Sequence, residues 1–247
     1  DSVREMTSVL IPGATNTVTT NTGITSFDSD GFTLAAADGS PVPVNASAGT
    51  YVAWQWRAGG APTADNVETS GTMTDNSVKI NDVLQTSYTP SGSPSLYPMK
   101  ISANTVAGFS IVQIDGTGSN ATFPHALTAA PEFMVAKHSA TVEPWYCWHS
   151  GIANTEYLRF DNNSGKQTLA TAWNSTSPTA DVISVGSSGA TNSGTAYNIY
   201  YIWHSVAGFS DFGQFEGTGD TDGVMVNLGF KPAYVLIKSI DSTSEWH

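Results

Sequence analysis

Apolar and polar positions along this chain alternate in short runs, and nowhere with the three-to-four-residue spacing of an amphipathic helix. Runs rich in β-branched and aromatic residues fall at 31–34, 50–56, 77–80, 109–114, 132–137, 157–160, 182–185, 198–203 and 233–238. Gly, Ser, Asn, Thr and Pro cluster between them, which is turn chemistry. Short strands closed by such turns must each present alternate side chains to a common core. The pattern therefore predicts an all-β protein of packed sheets.

An internal repeat organises these runs. Ala107-Gly108-Phe109-Ser110 returns as Ala207-Gly208-Phe209-Ser210, Gly116-Thr117-Gly118 as Gly217-Thr218-Gly219, Pro131 as Pro232 and Lys137 as Lys238, at an offset of 100 and then 101. A weaker match sets 28–34 against 179–185 and 51–56 against 198–203, so that Trp54 and Trp56 fall on Tyr201 and Trp203. One complete unit then spans 105–204; residues 1–60 are the second half of a unit and 205–247 the first half of one. Residues 61–104 have no counterpart and form an insertion or linker with short strands, Ser77 to Val83 among them. Half a sandwich exposes a sheet edge and an apolar face. The expectation is that 1–60 closes with 205–247, the alternative being completion by parts of a longer chain or by neighbouring subunits.

Composition narrows the function more than the fold. The chain has 247 residues, 9 Lys plus Arg against 21 Asp plus Glu, and a net charge of −12. Nucleic acid and anionic membranes need a concentrated basic surface, so neither is expected as a partner. The single Cys147 forms no internal disulfide. No apolar stretch is long enough for a membrane span, no signal peptide stands out, and the start at Asp1 suggests an excerpt or a processed product.

Residues 25–34, 51–54 and 107–112, the Gly-Thr-Gly turn at 116–118, and the segments 131–137 and 232–238, each running from a Pro to a Lys, together resemble repeat domains of tail-fibre-like and other virion-surface proteins of marine bacteriophages. The resemblance covers most of the chain outside 61–104. It implies tandem jelly-roll-like, lectin-like β-sandwich units with a structural or adhesive role and no catalytic residues. Expected partners are copies of the chain or other virion or fibre proteins and a host surface glycan, at a virion surface or outside the cell. The alternative is a secreted or surface carbohydrate-binding module, and behind it a polysaccharide-degrading enzyme.

Candidate chemistry is sparse. Aromatic side chains on strands can stack on sugar rings, which singles out Trp54, Trp56, Tyr201 and Trp203 as ligand-binding residues, although paired indoles on one sheet face also fill cores. Asp28-Ser29-Asp30-Gly31 and Asp220-Thr221-Asp222-Gly223 have the look of calcium loops, with Asp28, Asp30, Asp220 and Asp222 as ligands. The twelfth loop positions are Gly39 and Lys231, which excludes an EF-hand; the plain reading is a turn before a strand. Cys147 and His149 would share one strand face, but a lone Cys between tryptophans packs as a small hydrophobe. The five His lack zinc spacing, Gly116-x-Gly118 and Gly217-x-Gly219 read as hairpin turns, and no carboxylate pair stands out for glycoside hydrolysis. No cofactor beyond calcium is expected.

Overall fold

A computed structural model describes residues 1–4, 8–11, 15–17, 19–20, 23–35 and 44–247; the stretch 36–43 of the first half-unit lies outside them. The fold is an all-β sandwich. In chain order the strands are β1 (Ser8–Val9), β2 (Thr19–Thr20), β3 (Ile24–Phe27), β4 (Phe32–Leu34), β5 (Val78–Ile80), β6 (Val83–Leu84), β7 (Lys100–Asn104), β8 (Phe109–Asp115), β9 (Ala121–Pro124), β10 (Phe133–His138), β11 (Tyr146–His149), β12 (Glu156–Arg159), β13 (Gln167–Thr168) and β14 (Val182–Val185). One short helix, α1 (Gly189–Asn192), precedes β15 (Tyr197–Trp203). A nine-stranded sheet runs β13-β12-β11-β10-β15-β8-β7-β5-β6, antiparallel except where β5 joins β7. The pairs β14-β9, β3-β4 and β1-β2 form separate small sheets.

β8 and β10 are buried along almost their whole length, not at alternate positions, because the large sheet is covered on both faces. Cross-strand partners fix the two sets. Phe109, Trp203, Phe133 and His149 stand in one row, and Ile111, Tyr201, Val135 and Cys147 in the next row on the same face. Val112, Tyr200, Ala136 and Tyr146 line the opposite face. On that second face β9 and β14 form the other layer: Phe123 meets Tyr200 with ring centroids 4.7 Å apart, and Ile183, Val185 and Trp173 are buried with them. On the first face Val3 and Ala58 pack with Phe109, Ile111 and Ile199, so segments of the first half-unit form part of the cover.

Four expectations are refined. Residues 61–104 are not a linker: β5, β6 and β7 extend the main sheet, and Val78, Met73 and Ile101 enter its core. The run from Ser77 to Val83 is two strands, since Asn81 and Asp82 take positive φ of 49° and 66° and turn the chain back as a tight hairpin. Gly116-Thr117-Gly118 is not a hairpin turn but a corner between sheets, from β8 to β9. A Cβ on Gly116 would lie 2.0 Å from the Ser193 carbonyl oxygen, and the Asn192 amide pins the corner by accepting from Thr117 N–H and donating to Ser119 O. Residues 50–56 and 233–238, both expected as strands, form no strand among the described residues, although Ile237 and His247 exchange both backbone hydrogen bonds. They belong to the two half-units.

Truncating Phe123 to Ala should remove about 3–5 kcal/mol of stability, because the ring is fully buried between the layers. Urea unfolding followed by fluorescence checks this; a loss below about 1 kcal/mol would show that the layers do not share that core.

Candidate functional site

The four aromatic residues picked from the sequence separate into two kinds. Trp203 stacks between Phe109 and Phe133, at centroid distances of 4.8 and 5.3 Å, and those neighbours leave no ring face for a sugar. Tyr201 is covered by the first residues of the chain: its hydroxyl donates to Asp1 Oδ2 (2.7 Å) and accepts from Arg4 Nη2 (3.2 Å). Trp54 and Trp56 are exposed, at 66% and 49%. Trp54 lies 5.7 Å from the Tyr234 ring, Trp56 lies 6.4 Å from it, and Trp56 meets the edge of Trp203 at 5.9 Å. The strip is thus wet at Trp54 and dry at Trp203.

The acidic turns serve the backbone. Asp28 N–H donates to Gly31 O and its carboxylate accepts from the Thr33 hydroxyl at 2.8 Å, closing the β3-β4 hairpin. Asp220 N–H donates to the Thr218 hydroxyl while its carbonyl accepts from Gly223, whose φ of 68° suits glycine. Among the described residues no three His, Cys, Asp or Glu gather as a metal set, so Asp28 with Asp30 and Asp220 with Asp222 stand as exposed pairs. Cys147 is fully buried, and burial pushes its thiol well up, away from the thiolate a nucleophile requires.

A cleft of about 740 Å³ opens where β10 begins and β15 ends. Antiparallel pairing of Phe133 with Trp203 brings Glu132 and His204 to this same end of the sheet. Trp148, Ser150 and Asn154 contribute from β11 and the following loop, and Pro131 and Pro178 also line the cleft. Glu132 is held by the Ser205 N–H, which donates to Oε2 at 2.5 Å. His204 Nδ1 lies 2.8 Å from the Ser205 carbonyl; with that nitrogen protonated, Nε2 is an acceptor. His204 Nε2 and the Trp148 indole N–H are both buried without a hydrogen-bond partner among the described residues. A carboxylate at the cleft, with an unpaired acceptor and an unpaired donor buried on two of its lining residues, matches the needs of a hydroxyl-rich ligand that displaces their cover.

Sequence reading missed Glu132 and His204 because they flank the strand runs and converge only once the partner and register are known. Behind the cleft wall, His125 is wholly buried, with Nε2 at 3.2 Å from Thr179 O and Nδ1 accepting from Leu127 N–H. Burial pulls its pKa down to about 4, with His204 adding to the effect against the opposing Thr179 hydrogen bond and Asp181.

The class is therefore an all-β sandwich protein with an aromatic strip and a polar cleft. The chain belongs to a family described as a domain of unknown function, DUF7483, whose model matches residues 1–93 and 85–247. No curated protein and no solved structure matches it.

His125 binds its proton less readily when folded, so the unfolded state takes up the proton first as pH falls. Stability should be fully present above about pH 6.5 and decline towards pH 4, by about 3 kcal/mol from this group. Denaturation midpoints across that range should fall less steeply in His125→Asn, whose amide oxygen can replace the Nδ1 acceptor; equal slopes would remove His125 as the source.

Proposed function

We propose that the chain is a structural and adhesive module of a phage-type tail fibre or related virion-surface assembly, and that the Glu132–His204 cleft is where it contacts a host glycan. The observation carrying the adhesive part is the pair of unpartnered buried polar atoms on Trp148 and His204, beside a fixed carboxylate. Once their cover shifts, a sugar hydroxyl can accept from the indole N–H and donate to the imidazole, while Glu132 takes a second hydroxyl. Buried polar atoms left without partners cost free energy, and a ligand that satisfies them recovers it. The family-level resemblance and the tandem repeat support the structural part. A single open cleft binds weakly, and copies arrayed on one assembly would multiply that into useful avidity. A carbohydrate-binding module acting singly would use the same cleft and differs only in its assembly.

Glu132→Gln and Asn154→Ala should each weaken binding of the best glycan on an array about tenfold while leaving the melting temperature within about 2 °C, since both lie at the cleft and outside the core. Retention of full binding by both would locate the contact elsewhere. A single copy per particle in electron micrographs of the native assembly would favour the isolated module over the fibre.

A further inference from the structure

The repeat is geometric as well as sequential, and it shows what should close the sheet edge left open on 205–247. From Gln113 to Tyr146 every residue has its counterpart 101 positions on without a gap, including Leu127 with Leu228 and Trp145 with Trp246. The backbone follows. Ile237 and His247 exchange both backbone hydrogen bonds, at 2.7 and 2.9 Å, and their counterparts Ala136 and Tyr146 are partners in the β10-β11 ladder. Gly118 and Gly219 take φ of 66° and 72°, each one residue after a Thr whose hydroxyl accepts the N–H two residues on.

A second relation, at an offset of 148 over the first hairpin and of 147 at residues 51–56, ties the first half-unit to the complete one. β1 pairs with β2 as Ser8 with Thr20 and Val9 with Thr19; β12 pairs with β13 as Glu156 with Thr168 and Tyr157 with Gln167. These equivalent hairpins receive equivalent lysines. Lys137 Nζ donates to Thr15 O at 3.3 Å and to His138 O at 2.9 Å; Lys238 Nζ donates to Asn163 O at 3.2 Å and to Ser239 O at 2.9 Å. Thr15 and Asn163 again differ by 148 and the lysines by 101. One junction is thus built twice: the hairpin of 1–60 docks on the complete unit, and the hairpin of the complete unit docks on 205–247. Two identical junctions running in opposite senses are what a closed pair of units produces when 1–60 and 205–247 are the same unit.

Burial shows what that unit still needs. Met134 is 1% exposed and its counterpart Val235 55%; Phe123 is 0% and Val224 45%. In the complete unit β15 lies beside β10, with Trp203 opposite Phe133 and their rings 5.3 Å apart. The counterparts of those two are Trp56 and Tyr234, whose rings already lie 6.4 Å apart.

We infer that residues 51–56 are the closing strand of the second unit, antiparallel to 234–236, with Trp56 opposite Tyr234, Gln55 opposite Val235 and Trp54 opposite Leu236. The occupant of the open edge is this segment of the same chain. Trp54 and Trp56 then belong to a sheet and not to a sugar-binding platform. This inference does not rest on the glycan reading, and its test leaves the Glu132–His204 cleft untouched.

The test is a disulfide trap in the full chain. Gln55→Cys with Val235→Cys places thiols at the counterparts of Ile202 and Met134, which are partners across β15 and β10. Mild oxidation should give an internally cross-linked monomer at least tenfold faster than Gln55→Cys with Ile237→Cys, two residues out of register; native Cys147 is buried and stays silent. Cross-linking mainly into dimers would assign the strand to a second copy, and equal rates for the two pairs would remove the register; either overturns the inference. The unaltered chain supplies a check that needs no folded variant. Hydroxyl radicals should oxidise Trp54 at least fivefold more slowly than in a peptide of residues 50–57, and an equal rate would contradict closure.

Discussion

Everything in this molecule depends on a sheet whose central strands are apolar on both faces. Phe133, Val135 and Lys137 of β10 face one side, while Met134, Ala136 and His138 face the other, and all six are buried. One cover, β9 and β14, comes from the same repeat unit. The other includes Val3, Ala58 and the Asp1–Arg4 pair over Tyr201, drawn from the opposite end of the sequence. A two-sided core cannot be satisfied by half a sandwich, and this requirement draws the distant ends of the chain together over one surface.

Lys137 shows how polar chemistry is fitted into that arrangement. An ammonium with no exposed surface pays a desolvation cost, and burial accordingly lowers its pKa against the opposing pull of Glu143 and Asp161. The ammonium donates to the carbonyl oxygens of His138 and Thr15, so part of the offset depends on the docked hairpin. Lys238 repeats the device against Asn163 and Ser244. A buried cation satisfied by backbone oxygens gives the junction a direction and a register that apolar packing alone would not supply.

Much of the fold was legible in the sequence, and the limits have physical causes. The runs at 109–114, 132–137 and 198–203 became strands because β-branched and aromatic side chains there meet partner strands on both sides, and the run at 182–185 because it pairs with β9. The runs at 50–56 and 233–238 carry the same composition but no ladder, since composition describes a strand's own surface and says nothing about whether a neighbour is in place. Tyr201 and Trp203 looked like platform residues because alternation marks a shared face; only the rows across β8, β15 and β10 show that the face is closed by Phe109, Phe133 and Arg4. Glu132 and His204 carried no local signal, since their meeting depends on the β10-β15 register.

The two sequence relations, one of 101 residues and one of 147 to 148, are what a pair of sandwich units written into the chain out of phase would produce, and β5, β6 and β7 add a three-stranded edge to the main sheet. The most direct measurement is backbone hydrogen exchange resolved along the unaltered chain. Closure within the chain predicts that amides of 51–56 and 234–238 exchange slowly and together, approaching the protection of β15 and β10. Exchange of either segment at the rate of an unstructured peptide, while β10 and β15 remain protected, would contradict it.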